Sequence, residues 1–482
     1  MLSKFFKSLT MKSGSDSSAD GSGYPASPTH LLTEDPLLAD LDADNVTLIP
    51  RDRHSVSRKN ISPNALKVLY KLDSEGFQAF LVGGGVRDIL LGNKPKDFDV
   101  ATNATPEELK DLFRNARIIG RRFKIVHIRF GREIIEVTTF RAHHQPDRIE
   151  RGKSRQALKN LDSAHSSSGM ILRDNVYGDI NEDAVRRDFT VNALYYTIRD
   201  FLILDFSTGL EDIENRLIRI IGNPATRYKE DPVRMLRAIR FAAKLDFAIE
   251  EKTREPIDEL ADMLESVAPA RLFDETLKLL SAGYGEKTFA LLQQFRFGHY
   301  LFPATLKCLD QSDRPENELV RLALRNTDQR LAEDKSVTPA FLFAALLWPV
   351  LRDRLGQSLA ASTPGIQEFQ QLSNQVIGEQ LKHTAIPKRF TIAMREIWEL
   401  QLRFQRRNKR SVLGAYEHPR FRAAYDFLLL REESGEDLGG LGQWWTEFQL
   451  LDSAQQSAMI NTLGGGRSTR RRPRRKRPGT EQ

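Results

Sequence analysis

Residues 77 to 100 admit few folds. The run Phe77 to Val82 reads as a strand, passes directly into Gly83-Gly84-Gly85, continues as a short helix pattern from Val86 to Leu91, and turns strand-like again at Asp97-Phe98-Asp99-Val100. Residues two apart in a strand point to the same side. Asp97 and Asp99 therefore present two carboxylates on one face, while Phe98 turns into the core. The glycines at the strand-to-helix turn let backbone N–H groups approach a phosphate with no side chain in the way. Strand, glycine turn, helix and strand in this order read as part of a mixed α/β unit.

The flanking sequence supplies the rest of that unit. Ser62-Pro63 opens a helix whose face is Ala65, Leu66, Leu69 and Leu72 and which Gly76 ends, and order is expected to begin there. Thr105-Pro106-Glu107-Glu108 has the form of a capping box. Phe123 to Phe130, Gly131-Arg132 and Glu133 to Phe140 read as a β-hairpin, with Glu136 in the alternating run Ile134-Glu136-Thr138. If the hairpin packs beside the Asp strand, Asp97, Asp99 and Glu136 converge. Their mutual repulsion calls for cations, and hard oxygen ligands of this kind suit Mg²⁺, expected as two ions. Polar residues 143 to 175 read as a mobile loop, and strand and helix signals resume from Arg186 to Asp205. From about 210 the apolar spacing is helical and strand signals fade. The fold class expected is α+β: a mixed-sheet head followed by an all-α neck, body and tail.

Charge is unevenly placed. The chain has 72 Lys and Arg against 65 Asp and Glu, and residues 467–482 hold eight of the bases and one of the acids, which leaves 64 of each sign elsewhere. The tail segment Arg470, Arg471, Arg472, Arg474, Arg475, Lys476 and Arg477 repels itself, stays extended, and suits a polyanion through counterion release. Residues 1–60 are rich in Ser, Gly, Asp and Pro and read as a disordered extension. Within it Lys4, Lys7 and Lys12 alternate with Leu2, Phe5, Phe6 and Leu9, a pattern compatible with a weak membrane contact. No run reaches the roughly 20 apolar residues of a membrane span, and no secretory leader is evident, so a cytoplasmic location is expected. The single Cys308 forms no internal disulfide and is expected to be buried and inert.

Three ordered motifs carry a resemblance. Leu81-Val82-Gly83-Gly84-Gly85-Val86-Arg87-Asp88 with Asp97-Phe98-Asp99, then Arg186-Arg187-Asp188-Phe189-Thr190-Val191-Asn192-Ala193-Leu194, then Glu230-Asp231-Pro232-Val233-Arg234-Met235-Leu236-Arg237-Ala238 resemble the polymerase β-type nucleotidyltransferases, in the bacterial class of CCA-adding enzymes and poly(A) polymerases. The resemblance covers residues 61 to 260. It implies that Asp97, Asp99 and Glu136 are catalytic and that Asp97 and Asp99 hold the metals. It places Gly83, Gly84 and Arg87 near the triphosphate, and Arg187, Asp188 and Asn192 around sugar and phosphates. Asp231 and Arg234 then select the incoming base by hydrogen bonds, with Arg237 further along the same helix flank as Arg240. Asp231 also reads as the cap of that helix, with Pro232 in its first turn. The division expected is a catalytic head at 61–215, a neck with the nucleotide-selecting motif at 216–285, a body with RNA-binding region at 286–460, and a disordered basic tail at 461–482.

Features outside the motifs favour the polyadenylating branch. Ile118 to His127, with Arg121-Arg122-Phe123, resembles the corresponding poly(A) polymerase stretch, and the basic tail gives repeated addition an arm that keeps hold of RNA. ATP is then the substrate, RNA 3′ ends the partner, and mRNA processing and decay the setting, with RNA-decay proteins as further partners and no stable oligomer. The alternatives are a CCA-adding enzyme acting on tRNA and a catalytically silent RNA-binding protein. Adjacent His143 and His144 read as solvated loop residues. Trp444, Trp445 and Phe448 read as packing of the last helix rather than as an RNA platform.

Overall fold

The computed structural model describes residue 41 and residues 45–120, 124–142, 163–165, 171–174, 176–310, 315–358, 365–406 and 408–462. The chain enters an eight-stranded mixed sheet earlier than its composition suggests. Strand β1 (Thr47–Ile49) pairs antiparallel with β10 (Ile203–Asp205) at one sheet edge, and Val56 and Ile61 are buried in the main core. The expectation that order begins at Ser62 is corrected accordingly. Three residues carrying one buried Ile give too little alternation to show as a strand among polar neighbours.

Helix α1 (Pro63–Ser74) starts as expected: the Ser62 hydroxyl accepts from the Ala65 N–H, Pro63 fills the first turn, and Ala65, Val68, Leu69 and Leu72 face inward. Strand β2 (Ala79–Val82) is buried on both faces and leads into helix α2 (Gly84–Leu90). Strand β3 (Asp99–Thr102) and helix α3 (Pro106–Leu112) follow, the latter with the complete Thr105–Glu108 capping box. Strand β4 (Ala116–Ile119), absent from the sequence reading, is the opposite sheet edge. It pairs with β5 (Ile125–Phe130), which forms the expected hairpin with β6 (Glu133–Thr139). Part of the segment read as a loop forms a small antiparallel pair, β7 (Ser163–His165) with β8 (Ile171–Asp174). The rest of that segment, with His143, His144, Arg121 and Arg122, lies outside the described residues, as does the basic tail from Arg470 to Lys476 and Arg477. Helix α4 (Ile180–Arg186) and strands β9 (Leu194–Thr197) and β10 complete the head, in the order β1-β10-β9-β2-β3-β6-β5-β4.

One sheet face, with Leu81, Val100, Val126, Ile128, Ile135 and Val137, belongs to a core that continues into the helical half. The other is covered only in part, where Phe80, Val82, Ala101 and Tyr195 meet Ile180 and Ala184 of α4. Among the described residues no element covers the β6–β5–β4 part of that face, and Asp99 and Glu136 lie at its margin.

Helix α5 (Gly209–Glu214) leads to β11 (Leu217–Ile218), helix α6 (Pro224–Glu230), helix α7 (Val233–Leu245) and β12 (Ala248–Ile249). The helical half is thus not wholly without strands: β11 and β12 make a two-residue parallel pair. This stretch is sewn in both directions. Thr190 N–H donates to Arg219 O at 3.0 Å and Ile221 N–H to Asp188 O at 2.9 Å, while Ile220 N–H donates to Thr253 Oγ1 at 3.1 Å. Helices then run to Thr462. A separate cluster at the end holds Phe404, Phe421, Trp445 and Phe448, with Trp445 fully buried. The packing reading stands for Trp445 and Phe448, and Trp444 is half-buried and stacked on Phe448 with ring centroids 5.2 Å apart. Cys308, on the helix Pro303–Leu309, is half-buried rather than buried.

Candidate active site

The sheet sets the acids by register. Val82 pairs with Asp99 across β2 and β3, Asp99 with Glu136 across β3 and β6, Glu136 with His127 across β5, and His127 with Arg117 across β4. Directly paired residues point to one side, so Asp99, Glu136, His127 and Arg117 form a row on the open face. Asp97 differs from the sequence reading: it lies exposed just before β3, not within it, and Phe98 between them is buried as expected. The His127 Nε2 is 3.3 Å from Glu136 Oε1.

Asp99 is poorly compensated. Burial first, then the negative charges of Glu136 and Asp97, push its carboxyl up to about 6 against the opposing pull of Arg187. Among the described residues no group of three His, Cys, Asp and Glu is close enough to hold a metal ion by itself. An ion such as Mg²⁺, which keeps waters and binds through one or two carboxylates plus substrate phosphates, needs no all-protein cage. The residues fit such an ion: hard oxygens, excess negative charge, and an open side.

Gly83 sits at the point of contact. Its φ of 70° and ψ of −138° suit glycine alone. A Cβ there would stand 3.6 Å from Asp99 Oδ2 and 3.7 Å from Arg187 Nη1. The turn therefore occupies the space between a carboxylate and a guanidinium with bare backbone. At Gly84 a Cβ would come within 3.3 Å of Arg87 Nη2.

Arg87 is placed inward. It is 2% exposed, its Nε and Nη2 donate to Asp88 Oδ1 at 2.8 and 2.6 Å, its Nη1 donates to Asn192 Oδ1, and it lies over the Phe241 ring at 5.3 Å. Asn192 Nδ2 donates to Asp188 Oδ1 at 3.2 Å, and Asp188 Oδ2 takes two bonds from Arg237, one at 2.7 Å from Nε. Asp88 Oδ2 accepts from Lys244 Nζ at 3.2 Å. One polar chain thus joins α2, the 188–192 turn and α7. Burial alone would raise Asp188, but the Arg237 charge and the bonds from Arg237, Asn192 and the Phe189 N–H outweigh it and hold the carboxyl far below its ordinary range.

Arg187 is oriented by Tyr195 and Asp183: Nε donates to Tyr195 Oη at 2.7 Å, Nη2 to Asp183 Oδ2 at 3.1 Å, and Tyr195 Oη to Asp183 Oδ2 at 2.8 Å. Its remaining nitrogen is the one that nears Gly83. In the third motif, helix α7 begins at Val233 with Pro232 as its N-cap. Asp231 therefore does not cap it in the expected way. Its Oδ1 receives a long 3.3 Å bond from Val233 N–H, and both its oxygens are gripped by Arg271, at 2.7 and 2.6 Å. Arg234 Nη1 donates to Glu230 Oε2 and Arg227 O at 2.7 and 2.8 Å. Arg234, Arg237 and Arg240 do share one half-exposed flank of α7. Burial, then neighbouring guanidinium groups, push Arg186, Arg227 and Arg240 down to about 10, and Arg240 Nε has no hydrogen-bond partner. Cationic charge is in excess here, as a triphosphate would require. Sequence reasoning missed Arg271, Asp183, Tyr195 and Lys244, whose partners are brought to them by tertiary folding or by helix phase and not by any local motif.

An acid row beside a bare glycine turn, on a mixed sheet that feeds an arginine-lined helix, defines a nucleotidyltransferase. Residues 79–219 match a family model described as the poly(A) polymerase head domain, 246–309 one described as a probable RNA- and SrmB-binding site of polymerase A, and 361–478 one described as the arginine-rich C-terminus of polymerase A. The chain is 49% identical to poly(A) polymerase I of Escherichia coli O157:H7 over 436 residues, 90% of this chain and 92% of that one. It is 35% identical to the CCA-adding enzyme of Lactobacillus helveticus over 227 residues, 47% of this chain and 52% of that one. The Thermotoga maritima CCA-adding enzyme complexed with tRNA shares the fold, with a TM-score of 0.52 at 20% identity, covering 84% of this chain and 85% of that one. The chain belongs to the bacterial poly(A) polymerase family.

Proposed function

We propose that this protein extends RNA 3′ ends without a template, transferring AMP from ATP to the terminal 3′-OH and releasing pyrophosphate, with addition repeated into a poly(A) tract. The observation that carries the reading is the meeting of Asp99, the Gly83 backbone and Arg187 within the space of one methyl group, beside Glu136. Asp97 and Asp99 would hold two Mg²⁺ ions, which when bound help ionise the 3′-hydroxyl and neutralise charge on the leaving pyrophosphate. The chain's own residues do the rest. The Gly83-Gly84 turn admits the phosphates to backbone N–H groups, and Arg187, locked by Tyr195 and Asp183, presents a fixed guanidinium to them. Arg237 and Asn192, tied through Asp188, hold that turn against α7. Asp231, held by Arg271, and Arg234 present hydrogen-bonding groups to the base.

Residues 246–309 and the basic tail supply RNA contacts, and the same 246–309 stretch is where an RNA-decay partner would dock. No helix among the described residues is long and apolar enough to cross a membrane, and the reading keeps a cytoplasmic enzyme of mRNA processing whose N-terminus touches membranes at most weakly. The CCA-adding relative aligns over about half of this chain, whereas the poly(A) polymerase aligns over nine-tenths.

The test supplies Mg²⁺, a generic RNA and each of the four NTPs in turn, beside an Asp97→Ala/Asp99→Ala control. Long ladders with ATP alone that vanish in the control are expected. Addition of CTP and ATP confined to tRNA lacking its end would replace the reading with CCA addition, and no incorporation on any RNA would leave a binding protein.

A further inference from the structure

We propose that the open face of β4, β5 and β6 is where the last nucleotides of the RNA being extended lie. The inference rests on the activity read above and goes beyond the RNA contacts assigned to residues 246–309 and the C-terminus, since it places one on the head.

The row that carries the acids does not stop at Glu136. It continues through His127 to Arg117 on the sheet edge. Beyond it opens a cleft of about 570 Å³ whose lining includes Arg114, Arg117, Ile119, His127, Arg129 and Ile134. Arg114, Arg117 and Arg129 are exposed. Among the described residues Arg114 and Arg117 have no ionic or hydrogen-bonding partner, and Arg129 meets only the Gly131 carbonyl, at 3.0 Å through Nε. The nearest acids on this hairpin are engaged: Glu136 with His127, and Glu133 with Asn64 at 2.6 Å. Beside these cations Ile119 and Ile134 are 39% and 40% exposed.

Cations on an edge strand commonly serve to keep other strands away. That account covers Arg117 but not Arg129, which lies on β5 inside the sheet, and it runs against two isoleucines left in water on the same face. Phosphates between arginines, with bases and riboses over apolar side chains, account for both.

Reaction geometry gives the direction. Phosphoryl transfer runs in line, so the attacking oxygen enters opposite the leaving group. Gly83 and Arg187 lie on the β2 and β9 side of Asp99, and a triphosphate seated there sends its pyrophosphate to that side. The 3′-OH must then arrive from the β6, β5 and β4 side. Three strand spacings separate Asp99 from Arg117, about 14 Å, a reach of a few nucleotides.

The experiment uses the full chain, a short oligoadenylate and ATP, comparing Arg117→Glu/Arg129→Glu with Arg117→Lys/Arg129→Lys. Reversal should raise KM for RNA tenfold or more and leave KM for ATP unchanged. Loss of two phosphate contacts should flatten the salt dependence by about 1.4 log units per log unit of salt, at about 0.7 per phosphate on a single strand. The lysine pair should stay close to wild type. Because residues 467–482 carry eight Lys and Arg of their own, a second measurement decides: 4-thiouridine placed near the 3′ end should photo-cross-link within residues 114–119 or 125–134. Unchanged KM for RNA and an absent cross-link in an active wild-type enzyme overturn the inference, and a partner protein captured by the same face while RNA is indifferent to it does so too. An inactive wild type would instead refute the reading of the activity.

Discussion

Asp99 on the sheet and Asp188 at the seam between head and neck are both carboxylates in crowded surroundings, yet their charges are handled in opposite ways. Asp99 has Glu136 and Asp97 for neighbours and is pushed up to about 6, whereas Asp188 is gripped by Arg237 and Asn192 and held far below the usual range. The first region leaves its electrostatic deficit open for a ligand to fill. At the second, the carboxylate itself is fully paired, and its bonds join the 188–192 turn to α7. A residue's membership of a motif therefore does not tell which of the two it does; its partners do.

The largest effect expected from breaking this contrast is at Asp99. Asp99→Asn should lower kcat by on the order of a thousandfold, since removing a ligand for transition-state charge costs several kcal/mol, while leaving the protein more stable. The folded protein favours protonated Asp99, so the stability linked to this group is full below pH 3.8 and lost as pH rises through about 6. In metal-free buffer at pH 8 the variant should gain about 1–2 kcal/mol over wild type by urea denaturation, and the gain should shrink at pH 5. A variant less stable than wild type at pH 8 would erase the contrast.

Asp188→Ala should do the reverse, costing about 3 kcal/mol of stability in the same denaturation series because it leaves Arg237 without its carboxylate. The stability tied to Asp188 is present above its unfolded value near 3.8 and lost as pH falls below it, so the penalty should fade in acid. The smallest effect sharpens the comparison within the scaffold itself. Arg271→Lys keeps the charge on Asp231 but not the two-pronged grip, and should narrow the preference for ATP over CTP in kcat/KM by about tenfold. An equal loss for both nucleotides would make Arg271 a structural brace only.

Much of the sheet was legible in the sequence because alternation is its signal. Glu136 in an alternating run and the Gly131-Arg132 turn were enough to anticipate the hairpin, while its place beside Asp99 was only a condition that the sheet order now meets. Asp97 was placed in the strand because period-two reasoning carries no information on where hydrogen bonding begins. β1 and β4 went unseen for a related reason: each is an edge strand of three or four residues, and edge strands need not alternate. The neck was legible as an arginine flank but not as a network. Arg87 sits on a seven-residue helix opened by glycines, too short for a face to declare itself, and Arg271 finds Asp231 from a helix that begins at Pro269.

The short pair Leu217↔Ala248 and Ile218↔Ile249 has a mechanical meaning. It closes the stretch containing α6 and α7 into a loop with its two ends buckled together, and the bonds Thr190 N–H to Arg219 O and Ile221 N–H to Asp188 O rivet that buckle to the head. A lever fixed at both ends does not swing. The head and α7 are therefore braced as one piece.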